Sequence, residues 1–492
     1  MAAIAKESVL SRLPIIVILG ATGTGKSKLA LQVAKKFNGE IISADAMQVY
    51  RGLDIVTNKV TPEELRQVPH HMLDYVNPGQ PTKVVDFRDR ALPIIEDLLE
   101  RRKLPVVAGG TCYYVEALLW KLLMPVPEYE GPPPKRARNA TSDGSVGSGP
   151  VQCEGVRGVM GRVGDILAGK GIVGNVVKDA VEELSADDKA ELHNTLKEVD
   201  PERALELHPN NVRKVIRSLQ VFDSTGRRHS ELIQEQRAEG GNHLGGPLRF
   251  PHSVILWVTC DQPTLDARLD ARVDEMVRQG LIAELQTFHQ QYNLQRVVGE
   301  DGELRTPVYT LGIFQSIGFK EFHDYLMLSE EQRETEEGRK LFEKGVELMK
   351  VATRQYARRQ IKWIRQRFLG RGDSQVPPLY TLDGTDVGQW DSQVRDKAFS
   401  VVQSALDGTP CPIHREPVLQ KNATDRKWMR CEQCDRLFEG TSQLEAHLRS
   451  QKHRRRLAKL AREAEQKTVS LDVNRTDTIS TARINVKCGD NT

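Results

Sequence analysis

The chain has 492 residues, too many for one ordinary hydrophobic core, so two to four structural units are expected. Hydrophobic residues make up 39%, and no run of 18 apolar residues occurs, so a folded chain with no membrane span is expected. A net charge of +3 excludes a uniform polycation, and any nucleic-acid surface must therefore be local. The seven cysteines are odd in number and scattered, which disfavours a disulfide framework and suits a reducing compartment. The expected location is the cytoplasm. Mitochondrion and nucleus stay open, because Lys6 and Arg12 near the N-terminus and the KRAR cluster at 135–138 are weak address signals.

Residues 13–124 alternate strand and helix signals. LPIIVILG (13–20) reads as a buried parallel strand ending in glycine, KSKLALQVAKKF as a helix, and EIISA as a second strand. DFRDRALPIIEDLLERRK has helical spacing, and LPVVAGGT repeats the strand-to-glycine pattern. The expected fold is α/β: a P-loop-type parallel sheet core with a helical insertion domain, plus a small C-terminal ββα-like zinc finger. Residues 125–178 are rich in Pro, Gly and Ser and read as a low-complexity, disordered insertion. Residues 179–250 read as the helical insertion domain, and 251–370 complete the core, beginning with the strand SVILWVTCD and continuing in helices. Residues 371–425 read as a connector, 426–465 as a zinc finger with a basic helix, and 466–492 as a polar tail.

Gly20, Ala21, Thr22, Gly23, Thr24, Gly25, Lys26 and Ser27 match G-x-x-x-x-G-K-[ST] between a strand and a helix. Glycines let backbone N–H groups turn inward on phosphate oxygens, Lys26 neutralises charge, and Ser27 is the expected Mg²⁺ ligand. The loop specifies a polyphosphate, not ATP. Asp45 follows the second strand at the edge that faces the ligand crevice. A carboxylate there binds Mg²⁺, accepts a proton from a nucleophile, or merely caps the next helix. Arg268 and Arg272, four apart on one helix, suit a clamp on a leaving diphosphate or ion pairs with Asp266, Asp270 or Asp274.

Residues 350–371 hold eight Lys or Arg and no acidic residue. On a helix, Arg354, Arg358, Lys362 and Arg365 form one stripe, and Ala357, Ile361, Ile364 and Phe368 form its neighbour, so one side is expected to bury and the other to face phosphates. Cys431-x₂-Cys434-x₁₂-His447-x₅-His453 has the spacing of a structural Zn²⁺ site, with Phe438 and Leu444 placed for its small core. Residues 449–462 add seven Lys or Arg with no acidic residue, which suits backbone binding. Cys411 with His414, and the tandem His70 and His71, read as structural. On the residues alone, a nucleotide kinase or ATPase acting with nucleic acid and a non-enzymatic RNA-binding finger protein also remain open.

The segments GATGTGKS, SADAMQVYRGLDIVTNKVTPEE, VPHHMLDYVNP, VVAGGTCYYVEALLW, HPNNVRKVIRSLQVF, LDARLDARVDEM, LGIFQSIGFKEF and ATRQYARRQIKWIRQRF closely resemble the tRNA dimethylallyltransferase family. They run in family order from residue 14 to about 370, interrupted only by the 125–175 region. The resemblance implies a prenyltransferase that moves a dimethylallyl group from its diphosphate to the N6 amine of the tRNA adenosine 3′ of the anticodon. It implies Asp45 as general base, Thr111 beside the reacting centre, and Thr24, Lys26 and Ser27 in the diphosphate site, with Arg272 favoured over Arg268 as a diphosphate contact. It further implies tRNA contacts at Asp45, Ala46, Met47, Gln48, Arg213, Lys214, Arg217, Gln315 and Lys320, to which the basic helix adds Arg354, Arg358 and Lys362. The implied partners are tRNA, through its anticodon stem-loop, and dimethylallyl diphosphate, with Mg²⁺ and structural Zn²⁺ as cofactors and a monomeric chain. The family usually has Ser after the catalytic Asp. Here Ala46 stands there, which puts any role of that hydroxyl in doubt.

Overall fold

The computed structural model describes residues 13–121, 184–238, 246–293, 309, 312–370, 375–417, 428–434 and 436–462. The segments read as a low-complexity insertion (125–178) and a polar tail (466–492) lie outside the described residues, as do the N-terminal signals. The chain divides into two compact units: Met1–Asp143 with Ser230–Gln420, and Gly144–His229 with Lys421–Thr492.

The first unit is built on six strands: β1 (Ile16–Gly20), β2 (Gly39–Ser43), β3 (His70–His71), β4 (Leu104–Ala108), β5 (Val254–Thr259) and β6 (Leu379–Asp383). They lie in the order β3-β2-β4-β1-β5-β6, and every pairing is parallel. The principal helices are α1 (Lys26–Lys36), α2 (Val84–Glu100), α3 (Cys112–Leu119), α4 (Gln262–Arg278), α5 (Glu336–Ile364) and α6 (Asp396–Asp407). Strand alternation sorts the apolar side chains to opposite faces of the sheet. Ile16 and Ile18 pack with Leu29 and Val33 of α1 and Val402 of α6. Val17 and Leu19 pack with Ile95 of α2 and Val115 of α3. A strand covered on both sides has to be apolar at every position, and β1 is.

The strand expected at 253–261 is β5, paired directly with β1 in the register Ile18↔Leu256. The segment read as a connector contributes more than a link. Its β6 adds to β5, with Trp257 opposite Thr381, and α6 covers the sheet through Val401 and Val402. Five residues of mixed polarity carry little strand signal by themselves; tertiary pairing makes them a strand.

In the second unit, helices Ala186–Val199, Pro201–Glu206 and Val212–Thr225 enclose Leu192, Leu196, Val215 and Leu219. Ser185 opens the first of these with a capping box to Asp188. The finger comprises β7 (Trp428–Cys431) and β8 (Arg436–Glu439), an antiparallel hairpin, followed by α7 (Gly440–Leu448). Helical backbone resumes at 451–462.

Candidate active site and zinc site

The loop from Gly20 to Gly25 leaves the carboxyl end of β1, beside the ends of β2 and β4, where ligands of open parallel sheets bind. A cleft of about 330 Å³ opens there. Its walls include Thr22, Lys26 and Ser27 of the loop and helix, Asp45 and Gln48 after β2, and Arg272 of α4. The loop is internally braced: Thr24 Oγ1 donates to the Ala21 carbonyl at 2.9 Å, and Lys26 Nζ donates to the same oxygen at 2.8 Å. Burial pushes the Lys26 ammonium down to about 8, against the pull of Asp45, while Arg272 lowers it further.

Asp45 sits with its Oδ1 accepting the Met47 N–H at 2.9 Å. Burial holds its carboxyl above the usual carboxylate range, although that hydrogen bond and Lys26 pull it down. Such a carboxylate holds a proton more readily than an exposed one, as a general base requires. Thr111 is within reach: its Oγ1 accepts the Ala46 N–H at 3.0 Å, and its own N–H donates to the Ala44 carbonyl at 3.1 Å. The bond from position 46 uses the backbone, so it is indifferent to alanine standing where the family usually has serine. Arg272 Nη2 donates to Thr22 Oγ1 at 2.6 Å, while its buried Nε has no hydrogen-bond partner among the described residues. Together these groups offer a cationic, amide-lined seat for a polyphosphate and a proton acceptor beside it.

The two arginines of α4 part company. Arg268, which the sequence reading placed in the diphosphate site, donates to the carbonyls of Gly384 and Thr385, at 2.8 and 2.6 Å, and is not among the residues that line the cleft. Four residues of helix advance the direction by about 40°, and the β6 turn captures the first arginine. Their aspartate neighbours pair elsewhere: Asp270 with Arg354, Asp266 with Arg358, and Asp274 with Lys350. An acid-free stretch at 350–371 therefore does not mean unpaired cations, because α4 supplies the acids from across the helix pair. Arg359 and Lys362 are exposed and form no ion pair with a described residue. The apolar stripe behaves as expected, with Ala357, Ile364 and Phe368 buried.

Ala46, Met47 and Gln48 follow Asp45 at the cleft. Gln48 Nε2 donates to the carbonyls of Thr57 and Asn58, at 3.2 and 3.0 Å, and Ser43 Oγ donates to its Oε1 at 2.9 Å. Gln315 and Lys320 are exposed in the first unit. Arg213, Lys214 and Arg217 lie exposed on a helix of the second unit. His70 and His71 form the edge strand β3, where His71 Nε2 meets Glu40 Oε2 at 2.7 Å and His70 borders the cleft. Cys112 is buried, its thiol raised to about 12 by burial first and by Glu116 second, which disfavours the thiolate.

Three further residues at the site carry no sequence signature. Gln360 joins two loops: its Oε1 accepts the Thr22 N–H at 2.8 Å, and its Nε2 donates to the Gly110 carbonyl at 3.0 Å. Tyr356, also on α5, reaches Thr111, and burial raises its phenol. Trp390 donates to Gln32 Oε1 at 3.0 Å, and its ring lies 4.8 Å from Lys28 Nζ. All three sit more than 240 residues beyond the loop they serve.

In the finger, the ligand atoms of Cys431, Cys434, His447 and His453 all lie within 4.8 Å of one another. The buried Nε2 of His447 has no hydrogen-bond partner among the described residues. Four converging donors, one otherwise orphaned, fit a Zn²⁺ ion with no open position, hence a structural metal. Phe438 stacks on His447 at 4.3 Å between ring centroids.

Fold and cleft define a P-loop-type α/β core with a seat for a polyphosphate. An IPP transferase family model matches residues 48–147 and 166–367, and an isopentenyl transferase model matches 13–77. A zinc-finger double-stranded RNA-binding model matches 430–454. The tRNA dimethylallyltransferases of Homo sapiens and Mus musculus are 44% and 43% identical, each aligned over 92% of this chain and 87% of their own. That of Saccharomyces cerevisiae is 30% identical over 92% of this chain and 94% of its own. A solved structure of a eukaryotic dimethylallyltransferase acting on tRNA superposes with a TM-score of 0.67 at 29% identity, covering 93% of this chain and all of the other. The chain belongs to the tRNA dimethylallyltransferase family.

Proposed function

We propose that the protein transfers the dimethylallyl group of dimethylallyl diphosphate to the N6 amine of the tRNA adenosine 3′ of the anticodon, releasing diphosphate. The observation that carries this reading is the meeting of Asp45, Lys26 and Arg272 in one cleft at the mouth of the phosphate loop. The adenine amine is a poor nucleophile because its lone pair is delocalised into the ring. Asp45 takes a proton from N6 as N6 bonds to C1 of the donor. The C1–oxygen bond breaks, and the electron pair leaves with the diphosphate.

Lys26, Arg272 and the loop amides stabilise the departing charge. Thr111 keeps the backbone after Asp45 in place through Ala46. Mg²⁺ belongs to the proposal, with Ser27 as its protein ligand; when bound it would supply further charge for the leaving diphosphate. The target adenine must leave its stack to reach Asp45. The anticodon stem-loop is the part of tRNA this requires, with Gln315, Lys320, Arg359 and Lys362 exposed for the backbone in the first unit and the finger as a separate RNA-holding module. Mass analysis of nucleosides from tRNA of cells with and without the chain tests the reading: a prenylated adenosine that disappears with the chain supports it, and an unchanged profile refutes it.

A further inference from the structure

Among the described residues Tyr113 is the most exposed aromatic side chain, at 53%. Its ring centroid lies 4.2 Å from that of Trp363, and the Arg367 guanidinium lies 6.0 Å from the Tyr113 ring and 5.0 Å from the Trp363 ring. Trp363 and Arg367, the two groups that Tyr113 touches, are both fixed by the buried carboxylate of Glu116, which accepts from Trp363 Nε1 at 3.2 Å and from Arg367 Nε and Nη2 at 2.9 and 2.7 Å. An aromatic ring seated against side chains that a buried carboxylate fixes, and left open to solvent on its outer side, loses little freedom on receiving a flat partner.

Its position names that partner. Tyr113 stands two residues after Thr111, in the first turn of α3, and Trp363 stands one turn after Gln360 on the helix that reaches the phosphate loop. Arg359 and Lys362, without ion-pair partners among the described residues, flank Trp363 on the exposed side of α5. An exposed aromatic beside unpaired cations is the means by which proteins hold splayed, single-stranded bases, the ring taking the base and the cations the phosphates. We propose that Tyr113, backed by Trp363, is a stacking platform for a nucleobase adjoining the adenine that enters the cleft. This rests on the transfer reading above.

The test uses the full-length protein and an unmodified anticodon stem-loop carrying 2-aminopurine at either neighbour of the target adenosine in turn. Binding should quench fluorescence at one neighbour, and Tyr113→Ala should abolish that quenching. The same variant should raise the KM for RNA about tenfold, within the range expected of one stacked base, and leave the KM for donor unchanged. Tyr113→Phe should behave as wild type. Tyr113→Leu, which keeps the apolar contact with Trp363 but lacks a π face, should match Tyr113→Ala with an unaltered melting temperature. Quenching that survives in Tyr113→Ala, or Tyr113→Phe failing as badly as Tyr113→Ala, overturns the platform. Binding and fluorescence are read without turnover, so a wild-type protein that quenches but never prenylates would refute the transfer reading instead.

Discussion

The carboxamide of Gln360 is shared between two loops, its oxygen accepting the N–H of Thr22 at 2.8 Å while its nitrogen donates to Gly110. The side chain is 5% exposed, so an apolar replacement of similar size fills its place without offering either loop group a partner. Leaving a buried polar group unpaired costs about 1–3 kcal/mol. Gln360→Leu should lower stability by an amount in that range and raise the KM for the prenyl donor several-fold, as read by denaturant titration and steady-state kinetics. The contact also explains why position 110 is glycine: a Cβ there would lie 2.1 Å from Gln360 Nε2. Gly110→Ala should therefore be damaging, and Gln360→Ala should partly rescue it. Equal stability in Gln360→Leu and wild type would contradict the bridge.

Asp45 gives a prediction in which stability and activity move in opposite directions. Its carboxyl is raised in the folded protein by burial, so ionisation costs more there than in the unfolded chain. The stability its neutral form contributes is complete below the unfolded value and is lost as pH rises through the folded one. At neutral pH Asp45→Asn should consequently melt higher than wild type while losing transfer and keeping tRNA affinity. For wild type, activity should fall on the acid side as the carboxyl protonates, at a pH above that of an ordinary aspartate. Thermal scans, binding titrations and a pH–rate profile check the three parts. A variant that prenylates at the wild-type rate refutes the role of Asp45.

Lys26 sets the alkaline limit. Its ammonium is depressed to about 8, chiefly by burial, so the free protein loses this charge as pH rises through about 8. The KM for donor should be flat below that point and climb above it, and Lys26→Arg should remove the climb at the cost of a weaker baseline. Measuring the donor KM from pH 7 to pH 9.5 decides the matter; a flat wild-type profile contradicts the assignment.

The loop, the Asp45 carboxylate, the two-faced β1 and the finger ligands were legible in the sequence because each is a local pattern, fixed by spacing or by strand period. Gln360, Tyr356 and Trp390 were not, since a single side chain arriving from a distant helix leaves no periodicity at the place where it acts. The same limit hid the partners of Arg268 on the β6 turn, which lie 116 and 117 residues away. It also hid the aspartates of α4 that pair with Arg354 and Arg358. Strand β6 was hidden because five residues are too few to carry a clear period and its partner, β5, supplies the pairing.

The finger should be separable from the chemistry. Cys431→Ser removes one of four converging ligands, and Zn²⁺ sites of this type hold the fold of their module. Zinc content should fall, tRNA affinity should weaken, and single-turnover transfer at saturating RNA should change little. Unchanged tRNA affinity after loss of the metal would count against an RNA-holding role.

The most direct test offers the purified protein an unmodified anticodon stem-loop with labelled dimethylallyl diphosphate in one reaction and labelled ATP in another. Label should enter RNA from the prenyl donor alone, and Asp45→Ala should stop it. Rapid ATP turnover, with no prenyl label in the RNA, would contradict the account.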